Sequence, residues 1–254
     1  MHRASLGLTA MFVVLAGAAC STAPGDTGRL AFQLASNGTG ASASPLASAD
    51  VSITRGGNVI VISQVQLVAR RIKLKRVDGA CPTPDLSEAG DGDKGDAPEC
   101  PNLTLGPLLL VPPLVDGAQT SFSIDLPAGM YKEVELQIHK PTNNTSDAAF
   151  LAANPGFLGV SIRMTGTFNG VPFTFTTDIT NEVEVEFDTP MEVKIGGTTS
   201  LTLLLDVRGW FLDAGGTALL SPAALTQQGR QQVEQNIRRS FHAFEDEDHN
   251  GRKD

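Results

Sequence analysis

Between residues 29 and 205 the chain is built of short runs in which apolar side chains return at every second position. That is the spacing of a strand with one face in a core and one in water. Arg29 to Ala35 opens the series, and a Ser/Ala/Gly-rich loop from Ser36 to Ala49 follows. Val51 to Thr54 and Val59 to Ile62 flank Arg55-Gly56-Gly57-Asn58, a turn signal. Val65, Leu67 and Ala69 alternate, then Ile72 and Leu74 resume on the opposite phase, which predicts a bulge near Arg70-Arg71. Phe122, Ile124 and Leu126 precede a turn at Pro127-Ala128-Gly129, and Tyr131, Val134, Leu136 and Ile138 make the next strand. Val183 to Phe187 alternates strictly with glutamates outside, followed by Met191-Val193-Ile195 and Leu201-Leu203-Leu205 as separate strands. Short strands at this spacing predict a β-sandwich, each sheet having one buried and one wet face.

The sharpest local signal is Asn169-Gly170, the dipeptide of a type I′ hairpin turn. It pairs Phe168 with Val171, Gly166 with Phe173 and Met164 with Phe175 on one face, and threonines on the other. Pro172, which lacks an N–H, then belongs on an edge strand or at a bulge. Lys140 to Gly156 reads as a long connection holding one helical turn at Asp147 to Ala153, stopped by Asn154-Pro155-Gly156. From Ser221 the period changes to that of a helix. Ser221 is the cap candidate, Pro222 takes the first helical position, and Gly229 is a weak point. Val233, Ile237, Phe241 and Phe244 fall on one face, which predicts a single amphipathic helix over 221–244 docked on the sandwich. The fold class is therefore all-β: a sandwich over 28–220, a C-terminal helix, and an acidic tail over 245–254.

The run from Gly159 to Phe211, with IRMTGTFNGVPFTFTTDI, VEVEF and LTLLLDVRGWF, resembles a family of bacterial envelope lipoproteins built on a domain of unknown function. The resemblance implies a prealbumin-like or fibronectin-like sandwich and assigns no chemistry.

The first residues predict export. His2 and Arg3 precede an uncharged apolar run from Leu6 to Ala19, the length of a signal-peptide core and short of the ~20 residues that span a bilayer. Leu15-Ala16-Gly17-Ala18-Ala19-Cys20 is similar to the lipobox of bacterial lipoproteins, though Gly17 stands where that family prefers leucine. The likeness implies cleavage after residue 19, lipid on Cys20 and a tether over 20–27. Ser21 behind the cysteine favours the outer over the inner membrane. The only later apolar stretch of note, Leu105 to Val115, is interrupted by Pro107, Pro112 and Pro113.

Charge narrows the partners. A formal net charge of −9 repels nucleic acid and anionic lipid and argues against both as partners. The expected partners are the membrane, through the lipid, and an envelope protein or a glycan. Three cysteines are present; with Cys20 acylated, Cys81 and Cys100 remain as one pair, and an oxidising compartment predicts a disulfide between them. Asp91, Asp93 and Asp96 between these cysteines read as a solvated, glycine-rich loop.

The tail Asp246-Glu247-Asp248-His249-Asn250-Gly251-Arg252-Lys253-Asp254 has the D-x-D-x-N-G order of a calcium loop. Calcium needs six to eight hard oxygens, and Asp246, Asp248 and Asn250 supply side chains while the carbonyl of Arg252 and the carboxylate of Asp254 add to them. The segment is similar to EF-hand, dockerin and thrombospondin type 3 loops. A helix ending at Phe244 is expected to lead into it, and the glutamate of loop position 12 has no counterpart in the sequence. Calcium is the one cofactor this pattern suggests.

For catalysis the inventory is poor. The mature chain holds His139, His242 and His249, and no nucleophile elbow, zinc-protease or P-loop signature. Gly38 to Ala43 mimics a dinucleotide fingerprint but no helix follows it. One Trp (Trp210), one Tyr (Tyr131) and twelve Phe, mostly at inward positions, read as core rather than as sugar platforms. The expected function is a non-enzymatic, lipid-anchored structural or protein-interaction sandwich. The alternatives are a carbohydrate- or ligand-binding lipoprotein and a hydrolase with a dispersed pair of carboxylates.

Overall fold

A computed structural model describes residues 27–36, 50–77, 106–114 and 118–246. Its strands are β1 (Thr27–Ser36), β2 (Val51–Arg55), β3 (Asn58–Arg76), β4 (Leu108–Leu110), β5 (Ala118–Pro127), β6 (Gly129–Ile138), β7 (Ile162–Phe168), β8 (Val171–Thr177), β9 (Asn181–Val193), β10 (Thr198–Leu205) and β11 (Phe241–Glu245). Two helices accompany them, α1 (Ala148–Ala153) and α2 (Gln227–Arg238). Two sheets pack face to face. One has the order β11-β10-β1-β5, and the other runs β8-β7-β3-β6-β9 with β2 and β4 also on β3. The all-β sandwich expected from the alternation is the fold.

β3 is the spine of the larger sheet. Leu67 pairs with both Leu110 and Ile162, and Ala69 with both Leu108 and Ile138. Since β4 holds one side of these residues, β7 and β6 take the same opposite side of β3 in succession. The hand-over falls at Val68, whose N–H donates to Ser161 O and whose carbonyl accepts from His139 N–H. Two register shifts, between Ile62 and Gln64 and between Ala69 and Arg71, keep the large side chains inward along this long strand. The second is the bulge that the phase change between Ala69 and Ile72 announces. A third, beside Lys132, reconciles Tyr131 and Val134, three residues apart yet both buried.

The core lies between Leu30, Phe32 and Leu34 of β1 with Leu201, Leu203 and Leu205 of β10 on one side, and Ile60, Ile62, Leu67, Ile72, Val134 and Leu136 on the other. Burying a large aliphatic side chain contributes roughly 1.5–3 kcal/mol, so this layer dominates the stability. Phe32 stacks on Phe122 of β5 at 4.8 Å. The expectation of one wet face per sheet fails in the smaller sheet. Ala31, Gln33 and Ala35 of β1 and Ser200 and Thr202 of β10 are buried on the face away from the core. Large apolar residues alternate there with small or polar ones, and both faces are buried, as in strands covered on both sides. β1 and β10 also run parallel, where an alternating pattern says nothing of direction.

The hairpins form as read. Gly56 and Gly57 both have positive φ between β2 and β3, and Asn169 (φ 49°) and Gly170 (φ 79°) turn β7 into β8 with the expected pairing. The Asn169 side chain accepts from Val59 N–H at 2.8 Å, tying the two turns together at one end of the molecule. β8 is an edge strand, which accommodates Pro172.

Three sequence expectations are corrected. Met191 and Val193 belong to the same strand as Val183 to Phe187, and Ile195 is 64 % exposed in the turn that follows. The helix over 221–244 is instead a single 3₁₀ turn at Pro222–Ala224, then α2, then β11. Thr226, not Ser221, caps α2, and Gly229 sits in its first turn with its N–H donating to Thr226 Oγ1 at 3.0 Å. Phe241 and Phe244 lie on β11, which adds to β10, so the helix is inserted in the sandwich rather than appended to it. α2 docks Val233 and Ile237 in the core, and Asn236 Nδ2 donates to the carbonyls of Gly209, Trp210 and Leu212.

Candidate functional site

Of the residues singled out for chemistry, Cys20, Cys81, Cys100, Asp91, Asp93, Asp96, Asp248, His249, Asn250, Arg252 and Asp254 lie outside the described residues. Asp246 lies inside them and is fully buried at the end of β11. Its N–H donates to Ser200 O at 3.3 Å. The Thr202 hydroxyl lies 3.0 Å from its Oδ2 and 3.1 Å from Gln33 Oε1. One hydroxyl proton faces two acceptors; the carboxylate is the stronger, so the Gln33 contact is the weaker one. A strand, and not the expected helix, delivers the chain to Asp246.

Beside it a cleft of 420 Å³ opens between β9 and β11, edge strands of the two sheets among the described residues. Strand alternation builds both walls. Val185, Phe187 and Met191 give an apolar floor, and Glu186, Asp188 and Glu245 place carboxylates around it with His242. The room comes from β9, which advances from Glu186 to Met191 while β6 advances only from Glu133 to Tyr131. An apolar floor under an acidic rim suits a cation or a cationic, amphipathic segment. The alternation in VEVEF was legible; that its edge meets β11 was not, because β11 read as helix.

A second acidic cluster crosses the outer face of the larger sheet. Register places Lys73 beside Glu135 and Glu184, and Lys75 beside Glu133 and Glu186. Carboxylate oxygens of Glu133, Glu135 and Glu184 lie within 4.8 Å of one another, the spacing of a metal site. Lysines already fill that role. Lys75 Nζ is 2.6 Å from Glu135 and 2.8 Å from Glu133, and Lys73 is 3.1 Å from Glu135. Burial pushes the Glu135 carboxyl up, but the hydrogen bonds and charges of Lys75 and Lys73 outweigh it and hold it below its ordinary range. The Glu133 and Glu135 carboxylates in turn raise Lys75 above its usual value. This ladder fixes strand register.

The third constellation is His139 with Asp147. His139 ends β6 at the hand-over on β3, and its Nε2 lies 2.9 and 3.0 Å from the two oxygens of the fully buried Asp147. Asp147 also accepts from Thr142 N–H at 2.8 Å. Burial alone would raise this carboxyl; the Thr142 amide, His139 and the charge of Arg70 together bring it below its ordinary range. The pair ties the connection after β6 to the sheet, where Phe150 and Phe157 cover Val68. The half-buried His139 is oriented by Asp147, and no serine or cysteine hydrogen-bonds to its ring among the described residues.

No protein-family model, curated protein or solved structure matches the chain. Its function is therefore argued from its own residues.

Proposed function

We propose that the chain is a lipid-anchored protein of the bacterial cell envelope whose sandwich makes protein contacts and carries out no catalysis. The observation that carries this reading is the apolar run ending at Cys20 with a central strand of the sandwich, β1, starting at Thr27 close behind it. Protein contact is preferred over glycan binding because Trp210 and Tyr131, the rings best suited to stack on sugars, are both buried. Trp210 Nε1–H donates to Ser240 and the Tyr131 hydroxyl to Pro127 O. Weak calcium binding by the tail beyond Asp246 belongs to the same reading, since extracellular loops of this composition work at high calcium.

Fractionation of cells expressing the full chain tests the anchor. Wild type is expected in the membrane fraction, released only by detergent, and Cys20→Ser in the soluble periplasmic fraction. An identical distribution of the two would contradict the reading.

A further inference from the structure

The geometry points to the end of the sandwich around Thr27, Met130 and Ile195 as a surface that lies on the phospholipid bilayer. The inference rests on the anchor at Cys20 and adds which end of the domain faces the lipid and what touches it. Thr27 pairs with Pro127, and its carbonyl accepts from Gly196 N–H at 2.9 Å. Gly129 pairs with Val193, and Val77 N–H donates to Met130 O at 3.0 Å. The start of β1, the start of β6, the end of β3 and the turn between β9 and β10 thus share one end.

Reach decides which end can meet the membrane. From Cys20 to Thr27 the chain spans seven residue steps, at most about 25 Å fully extended. β3 has 19 residues, and at the rise of a strand it runs roughly 60 Å from this end toward the turns at Gly56-Gly57 and Asn169-Gly170. The tether is too short to let the far turns face the bilayer while Thr27 points away from it.

The side chains at the near end suit an interface. Ile195 is 64 % exposed, Val77 51 % and Met130 41 %. These are three of the seven exposed large apolar residues of the described chain, gathered where the tether begins. Charge at this end is largely balanced, since Arg29 pairs with Asp125, Lys194 with Glu192, and Arg76 lies over the Tyr131 ring. Segments 78–105 and 247–254, which leave from this end, carry more acids than bases. Apolar insertion rather than net charge therefore drives the contact, and a zwitterionic bilayer suffices.

Tryptophan depth quenching tests this with the lipidated full chain in phosphatidylcholine vesicles brominated along the acyl chains. Trp210, the only native tryptophan and fully buried, gives a constant background that also reports folding. Ile195→Trp is expected to lose emission and shift to the blue on the vesicles. Val171→Trp, at the far hairpin and 63 % exposed, is expected to keep its emission. If both proteins float with the vesicles and neither is quenched, or Val171→Trp is quenched as strongly, the orientation is overturned while the anchor stands. If the protein does not float with the vesicles, the anchor fails and the orientation with it.

Discussion

At Asn169 and Gly170 the backbone is held in the left-handed region, and a side chain at Gly170 would meet nothing within 4 Å. The cost of Gly170→Val is thus conformational, about 1 kcal/mol or more. Gly166 differs: a Cβ there would overlap the carbonyl oxygen of Val61 on β3. Gly166→Ala should therefore destabilise by about 1–3 kcal/mol through overpacking. Urea midpoints of the two variants check this, and an unchanged midpoint in Gly166→Ala would mean that β3 and β7 are farther apart. The Asn-Gly turn was legible because its requirement is local. The need for Gly166 was not, because Val61 lies far off in sequence. Asp147 was hidden in the same way: it read as the start of a helical turn, and nothing local marks His139 as its partner. Since the folded state depresses the Asp147 carboxyl, its contribution to stability is complete above the ordinary carboxylate range, near pH ~4. It is lost as pH falls through the depressed value. The wild-type urea midpoint should decline over that acid range, and Asp147→Asn should flatten the decline while costing ~1–3 kcal/mol at neutral pH. Parallel pH profiles would contradict the assignment.

The C-terminal elements show where periodicity misleads. Val233, Ile237, Phe241 and Phe244 continue a helical spacing, yet α2 stops at Arg238, where Ser240 closes the end locally and holds Trp210. Its hydroxyl donates to Ile237 O at 2.7 Å and accepts from the buried Trp210 at 2.8 Å. The open edge of β10 then takes Phe241 to Glu245 as a strand. Tertiary pairing overrides local period, and that pairing is invisible in one sequence. The cap distinguishes the two descriptions. Thr226→Ala should cost about 1 kcal/mol, and Ser221→Ala, whose hydroxyl caps nothing, should stay within ~0.5 kcal/mol. Thermal or urea unfolding of the pair decides it; the reverse order would restore the longer helix. By contrast most strands of the sandwich, with the bulge of β3 near Arg70-Arg71, were readable because alternation marks the face turned to the core. The register of the Lys73, Lys75, Glu133 and Glu135 ladder was not, because outward positions carry no periodic signal of their partner.

For the whole molecule, β1 ties the first described residues to the centre of the sandwich, and β11 brings the chain back to the same end as Thr27. Asp246 is both the last described residue and a buried support of β11, so Asp246→Ala would unseat the strand as well as any ion. The cleaner calcium test is Asp248→Ala with Asn250→Ala. Wild type should give calorimetric heat at millimolar calcium, with a dissociation constant on the order of 10⁻⁴–10⁻³ M, and the double variant none. Equal heats would make the tail an acidic end without a calcium role. The account as a whole hangs on Cys20, because the orientation of the domain and the class of its partners both follow from a lipid there. Metabolic labelling with a palmitate analogue measures it directly. Wild type should carry the label on Cys20, and Cys20→Ser should carry none. Equal labelling of the two, or an unlabelled wild type, would contradict the account.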